Sequence, residues 1–152
     1  MNEELLLNSL KEYYSNNNKS KILISVINNN LSISLRSIDW FITNYSKKHN
    51  IYYNIYMDKN NKLTFDDKNN KFIKTVNVFQ SYKSQLKAYS KKKFDPFCRR
   101  NRLTIEVNNE ELKTTIGQLN FFKWAINNMI IDYIIIHKER IENDMNYSLK
   151  KK

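Results

Sequence analysis

A chain of 152 residues with one glycine, Gly117, and one proline, Pro96, has almost none of the residues that ordinarily make turns and linkers. Its turns must come from Asn, Asp and Ser. Asn-rich stretches stand where turns are needed, at Asn16-Asn17-Asn18, Asn28-Asn29-Asn30, Asp58-Lys59-Asn60-Asn61 and Asp66–Asn70. The same scarcity removes the usual marks of a domain boundary, so none is placed. It also excludes a glycine-rich phosphate loop.

Between these turns the apolar residues alternate between two periods. Leu5, Leu6, Leu10, Tyr13 and Tyr14 form a helical stripe over residues 4–14. Lys21–Ile27 is short, apolar and β-branched and reads as a buried strand. Leu35, Ile38, Phe41, Ile42 and Tyr45 recur at helical spacing to Lys48, with Ser34 as the cap. Ile51–Met57 and Leu63–Phe65 read as a hairpin, and Phe72–Phe79 as a strand running into a helix near Tyr82. Asp95-Pro96 stops that helix, because the residue before proline avoids the helical region. Leu103–Val107 is a last alternating strand, followed by polar residues around Glu111. Thr115-Ile116-Gly117-Gln118 matches a capping box opening a helical pattern to about Met145, with Asn127-Asn128 as its point of kinking or breaking.

Strands interrupted by helices, rather than strictly alternating with them, imply an α+β fold. The expectation is a single domain over residues 1–152, with an antiparallel or mixed sheet and helices mainly on one face. The sheet would contain Ile22–Val26, residues 51–56, 63–65 and the Val76 region, and Leu103–Val107. Residues 1–17 would be a peripheral helix and residues 146–152 a frayed basic tail. Hydrophobic residues at 41% and aromatics at 13% suffice for one core. Trp40, Phe41, Phe122 and Ile126 are expected inside, with Trp124 partly exposed.

The lone cysteine, Cys98, cannot form an intrachain disulfide, and with His49 and His137 it cannot make a usual structural zinc site. The acidic start, Met1–Glu4, lacks a signal-peptide n-region, and no apolar run could span a bilayer. A protein of the reducing cytoplasm is expected, with no metal, cofactor or membrane.

The net charge is +11 and attracts polyanions, although an AT-rich genome raises Lys and Asn by codon usage alone. The densest basic stretch is Tyr82–Arg102, where the only acid is Asp95. Lys83, Lys87 and Lys91 are spaced by four along one helix face, and Arg99 and Arg100 follow. With Tyr82 and Tyr89 as stacking groups, these lysines and arginines are the candidate phosphate contacts of an RNA- or DNA-binding face. The plainer alternative is a solvated helix face whose Tyr82, Leu86 and Tyr89 pack inward.

No catalytic set stands out. Asp95 with Glu111-Leu112-Lys113 only loosely matches the acidic pair and lysine of metal-dependent nucleases. Cys98 beside Arg99 lacks a neighbouring base and reads as a buried thiol. His137, on the apolar stripe of the last helix, reads as a core or rim residue.

Ser37–Lys48 (SIDWFITNYSKK), Tyr82–Lys92 (YKSQLKAYSKK), Phe94–Arg100 (FDPFCRR) and Gly117–Ala125 (GQLNFFKWA) resemble segments of a small uncharacterised protein family of nucleocytoplasmic large DNA viruses, the amoeba-infecting giant viruses. The resemblance runs over about residues 31–146 and brings no assigned activity. It implies a protein of the viral cytoplasmic factory or the virion. The expected function is that of a non-enzymatic nucleic-acid-binding accessory protein. The alternatives are a protein-interaction or virion structural subunit, with acidic protein on the basic face and Trp40 or Trp124 in an interface, and a degenerate enzyme relative.

Overall fold

The computed structural model describes residues 2–150 and has an α+β fold. Helices are α1 (Glu3–Tyr13), α2 (Asn17–Ile27), α3 (Leu35–Trp40), α4 (Ser46–Lys48), α5 (Val78–Tyr89), α6 (Ile116–Asn127), α7 (Ile130–Ile136) and α8 (Lys138–Lys150). A π-helical turn, Phe41–Tyr45, joins α3 to α4. Strands β1 (Tyr52–Met57), β2 (Leu63–Thr64) and β3 (Lys71–Asn77) make one antiparallel sheet, in the order β2-β1-β3. Strands β4 (Leu103–Val107) and β5 (Glu110–Thr114) make a separate antiparallel hairpin. The chain divides into two compact units. The first is residues 2–35 with Gln85–Asn127, and the second is Arg36–Ser84 with residues 128–150.

Asparagine does in this chain what glycine does in others. Asn29, Asn50, Asn61, Asn69, Asn101, Asn108 and Asn109 all have positive φ. Asn tolerates the left-handed region because its short amide can bond locally to the backbone. Asn108 (φ 52°) and Asn109 (φ 62°) are the two-residue loop between Val107 and Glu110, whose paired positive angles match the twist of a tight hairpin.

The first unit is built on α6. Leu119, Phe121, Phe122, Trp124 and Ala125 are all buried, as on a helix covered on every side. The α1 helix is integral to this core: Leu10 and Tyr14 are fully buried, and the Tyr14 hydroxyl donates to the Leu119 carbonyl at 2.6 Å. The α1 helix, expected to be peripheral, is therefore part of the core. The expected strand at Ile22–Val26 is instead the body of α2. Asn16 caps that helix by accepting from Asn18 N and Lys19 N, and Ser20, Leu23 and Val26 bury one face. A short apolar run fits either period, and the cap together with packing on α6 selects the helix. Glu111 lies on β5 and not in a polar loop, with Leu112 and Thr114 facing inward. Trp124, expected at a flank, is buried against Phe94 and Phe121.

In the second unit, Ile38, Phe41, Ile42 and Tyr45 form the buried face of α3, the π turn and α4, as their spacing predicts. The π turn closes with Ser46 N donating to the Phe41 carbonyl. The Thr43 and Ser46 hydroxyls donate to the carbonyls of Asp39 and Ile42, four residues back, which loosens the ordinary ladder locally. Trp40 and Ile126, expected inside, are only half-buried. The helical pattern breaks at Met129, which is left-handed at φ 54°, directly after Asn127-Asn128. Residues 146–150 belong to α8 rather than to a frayed tail, and Lys151 and Lys152 lie outside the described residues. Among the described residues no helix is long and apolar enough to cross a membrane.

Asp144 ties α8 to the α3–α4 segment. It accepts from Trp40 Nε1 at 3.1 Å and from Lys48 Nζ at 2.8 Å, with His49 Nε2 3.8 Å away. Burial alone would push its pKa up, but the bonds from Lys48 and Trp40 and the charges of Lys48 and His49 outweigh it, holding the carboxyl below its ordinary value. A depressed folded pKa contributes stability that is fully present above the ordinary carboxylate range near pH ~4 and is lost as pH falls through the lowered value. Asp144→Asn should cost about 1–3 kcal/mol at neutral pH and flatten the acid limb of the stability curve, as read by denaturant titration from pH 7 downward.

Gly117 generates a second expectation. A Cβ there would lie 2.8 Å from Cys98 Cβ, 3.0 Å from its Sγ and 3.3 Å from the Lys92 carbonyl oxygen. In an open helix, Ala for Gly stabilises by about 1 kcal/mol. Here the overpacking wins, and Gly117→Ala should lower stability by about 1–3 kcal/mol in the same assay. Adding Cys98→Ala should recover only part of the loss, because the nearest atom, the Cβ, remains.

Candidate nucleic-acid interface

The basic stretch after α5 is a strap seated on the N-terminal half of α6. It opens at Ser90 and closes at Asn101, both left-handed, and has no regular structure between them. Phe94 is its buried pin, with its ring 5.1 Å from Phe121 and 5.5 Å from Trp124, centre to centre. Around the pin the backbone is bonded to α6 and its cap. Asn120 Nδ2 donates to the Lys93 carbonyl at 2.8 Å, and Gln118 Nε2 to the Pro96 carbonyl at 2.9 Å. Asp95 N donates to the Gly117 carbonyl at 3.2 Å, and Thr115 Oγ1 to the Cys98 carbonyl at 3.2 Å. Thr115 also accepts from Gln118 N at 3.1 Å, the first half of the expected capping box. In place of the other half, Gln118 Oε1 accepts from Thr114 Oγ1 at 3.1 Å while its Nε2 holds the strap.

Asp95, the one acid in the stretch, serves the turn. Its Oδ1 accepts from Phe97 N at 2.9 Å, and its carbonyl accepts from Cys98 N. The cations are left to solvent. Lys87, Lys91, Lys92, Arg99, Arg100 and Arg102 are exposed, and Lys93 is half-buried. Among the described residues, none of them is in an ion pair. Lys91, Lys92, Arg99 and Arg100 line a shallow depression of about 350 Å3 together with Phe97. Lys92, Lys93 and Arg100 border a second, of about 170 Å3, against Gly117.

The structure redistributes the residues named from sequence. Lys87 and Tyr89 lie on the last turns of α5, and Arg99 and Arg100 lie on the strap, all in the first unit. Lys91 is beyond the end of α5, so it does not continue the face of Lys83 and Lys87. Tyr82 and Lys83 belong to the second unit, where Lys83 Nζ lies 5.9 Å from the centre of the Phe79 ring. Tyr82 is 8% exposed, so its ring is closed to stacking, and Tyr89 is half-buried. The open ring is that of Phe97, at 43% exposure. Its signal in the sequence was position: in Phe94-Asp95-Pro96-Phe97 one aromatic must anchor the turn, and the other is free. Cys98 is a half-buried free thiol rather than a fully buried one.

A family model described as a family of unknown function (DUF7197) matches residues 1–152. An uncharacterised protein of Acanthamoeba polyphaga mimivirus is 41% identical over 153 aligned residues, covering 96% of this chain and 54% of that protein. The chain thus spans about half the length of the curated relative it matches. No solved structure matches it. The match along the whole chain, and the giant-virus relative that the sequence segments anticipated, lead to one conclusion: the chain belongs to the family of unknown function DUF7197.

Proposed function

We propose that this protein is a non-enzymatic nucleic-acid-binding accessory protein, with the strap of the first unit as its phosphate-binding element. One observation carries the reading. Among the described residues the strap's cations are unpaired, yet the backbone that bears them is pinned by Phe94 and by bonds from Asn120, Gln118 and Thr115. Cations that serve fold stability are usually paired or spread. A rigid row of unpaired ones presents charge without an ordering cost when phosphates arrive. Lys91, Lys92, Arg99, Arg100 and Arg102 supply the phosphate contacts, and Phe97 offers a ring to an unstacked base. Similarity to an uncharacterised mimivirus protein supports a role in a viral factory or a virion.

Binding of a fluorescent single strand should weaken steeply with salt. Four or five phosphate contacts give a log–log slope of about −3.6 to −4.5 on duplex and about −2.8 to −3.5 on single strands. Changing Lys91, Arg99 and Arg100 together to Glu should abolish binding while leaving the melting temperature nearly unchanged, because exposed charges contribute little to the fold. Phe97→Ala should weaken single-strand binding by about 1–3 kcal/mol and duplex binding less. Anisotropy titrations at two salt concentrations read all three. Absence of binding at low salt, or indifference to the triple variant, would instead favour a protein-interaction or virion structural role.

A further inference from the structure

We propose that the second unit carries a binding site for a methylated ammonium group, in the aromatic cleft between its sheet and α7. The cleft, about 520 Å3, is walled by Tyr53 and Tyr56 of β1, Phe65 after β2, Tyr133 and His137 at α7, and Asp67. Its construction is independent of the strap.

The walls are preformed. The Tyr53 and Tyr133 rings stack at 5.1 Å and 17°, and Phe65 stands nearly perpendicular to both, at 80° and 84°. The Tyr53 hydroxyl donates to the Asn128 carbonyl. The Tyr133 ring also lies against His137, at 4.2 Å. The turn that carries Phe65 and Asp67 is pinned by Asp66, which accepts from Lys68 N at 3.0 Å and donates its own N–H to Thr64 Oγ1 at 3.1 Å. Rings held by one another and not by a ligand, Phe65 at right angles to the stacked Tyr53 and Tyr133, form an open aromatic corner that costs little ordering on binding.

The charge of the walls selects the occupant. Among the described residues of a chain rich in Lys and Arg, no basic side chain lines this cleft. The one formal charge is the Asp67 carboxylate, which has no hydrogen bond or ion pair within the described chain, whereas its neighbour Asp66 is used in the turn. Burial, then the charge of Arg140, holds the His137 imidazole below its ordinary pKa, so its ring is neutral at pH 7. Arg140 itself lines a neighbouring depression with Glu139.

A phosphate finds no cationic partner in such a site, and the Asp67 carboxylate repels it. A methylated ammonium does: it has few or no N–H groups to satisfy, and aromatic faces with a carboxylate supply the attraction it needs. The volume exceeds that of the cationic group and leaves room for the chain that carries it. The shared chemistry is the methylated ammonium, whether on a modified lysine or on choline.

The test is an NMR titration of the full-length labelled protein with tetramethylammonium, Nε-trimethyl-lysine, choline, unmodified lysine and guanosine. Saturable shifts confined to Tyr53, Tyr56, Phe65 and His137 are expected with the methylated cations. Trimethyl-lysine should bind about tenfold more tightly than lysine, because only the methylated head sheds its water cheaply onto the rings. The relative strength of the trimethyl-lysine and choline arms identifies the source. Tyr56→Ala and Asp67→Asn, neither of them in the buried core, should each weaken trimethyl-lysine binding by roughly threefold to tenfold with the rest of the spectrum unchanged. The proposal is overturned if no methylated cation saturates, if lysine binds equally well, if both variants bind as the parent does, or if guanosine alone shifts these residues.

Discussion

The seat of the strap depends on how closely two pieces of backbone can approach at Gly117. A hydrogen there lets the Lys92 carbonyl and the Cys98 side chain lie against the first turn of α6. A methyl group would push them away, and with them the Lys93, Asp95, Pro96 and Cys98 backbone groups bonded to Asn120, Gly117, Gln118 and Thr115. The chain's single glycine, single proline and single cysteine all meet here. Gly117 admits the strap, Pro96 fixes its turn, and Cys98 is small enough to fill the remaining gap. Elsewhere Asn replaces glycine, at turn positions whose φ is positive and which Asn can adopt. No such substitute exists at Gly117, where φ is not positive and the requirement is the absence of a side chain.

What could be read from the sequence follows the same division between local and non-local causes. The hairpin of β1 and β2, the strand leading into α5 and the long helical run after Thr115 were legible, because period and turn chemistry agree there. Lys21–Ile27 was not, because an apolar run of that length has no period of its own and is decided by the Asn16 cap and packing on α6. Strand β5 was hidden by its charge. Glu110, Glu111 and Lys113 face solvent, and only the Asn108-Asn109 loop marks the strand as the return of a hairpin. Trp124 was assigned to a flank by counting along α6, but Phe94 of the strap covers that flank.

The candidate site was legible as composition and not as geometry. Charge density located the strap, while the spacing of Lys83, Lys87 and Lys91 suggested a continuous helix face that ends at Tyr89. Of the rings that helical spacing offers for stacking, Tyr82 is taken by the core and Tyr89 is half-buried, whereas the turn leaves Phe97 outside. Helical spacing gives each ring a face, but burial of that face depends on segments distant in sequence.

The net charge of +11 conceals two different electrostatic arrangements. In the first unit, the strap holds cations together against their repulsion, with Asp95 committed to its own backbone. That repulsion is a cost that the local bonds to α6 offset, and any polyanion would relieve it. In the second unit, Lys48 and Lys138 pair with Asp144 and Glu142, and the aromatic cleft excludes basic side chains altogether. Codon usage can raise the number of lysines in a chain, but it cannot sort them. Among the described residues the sorting, unpaired cations along one strap and none around one cleft, is a property of the fold, and it is what both ligand proposals rest on.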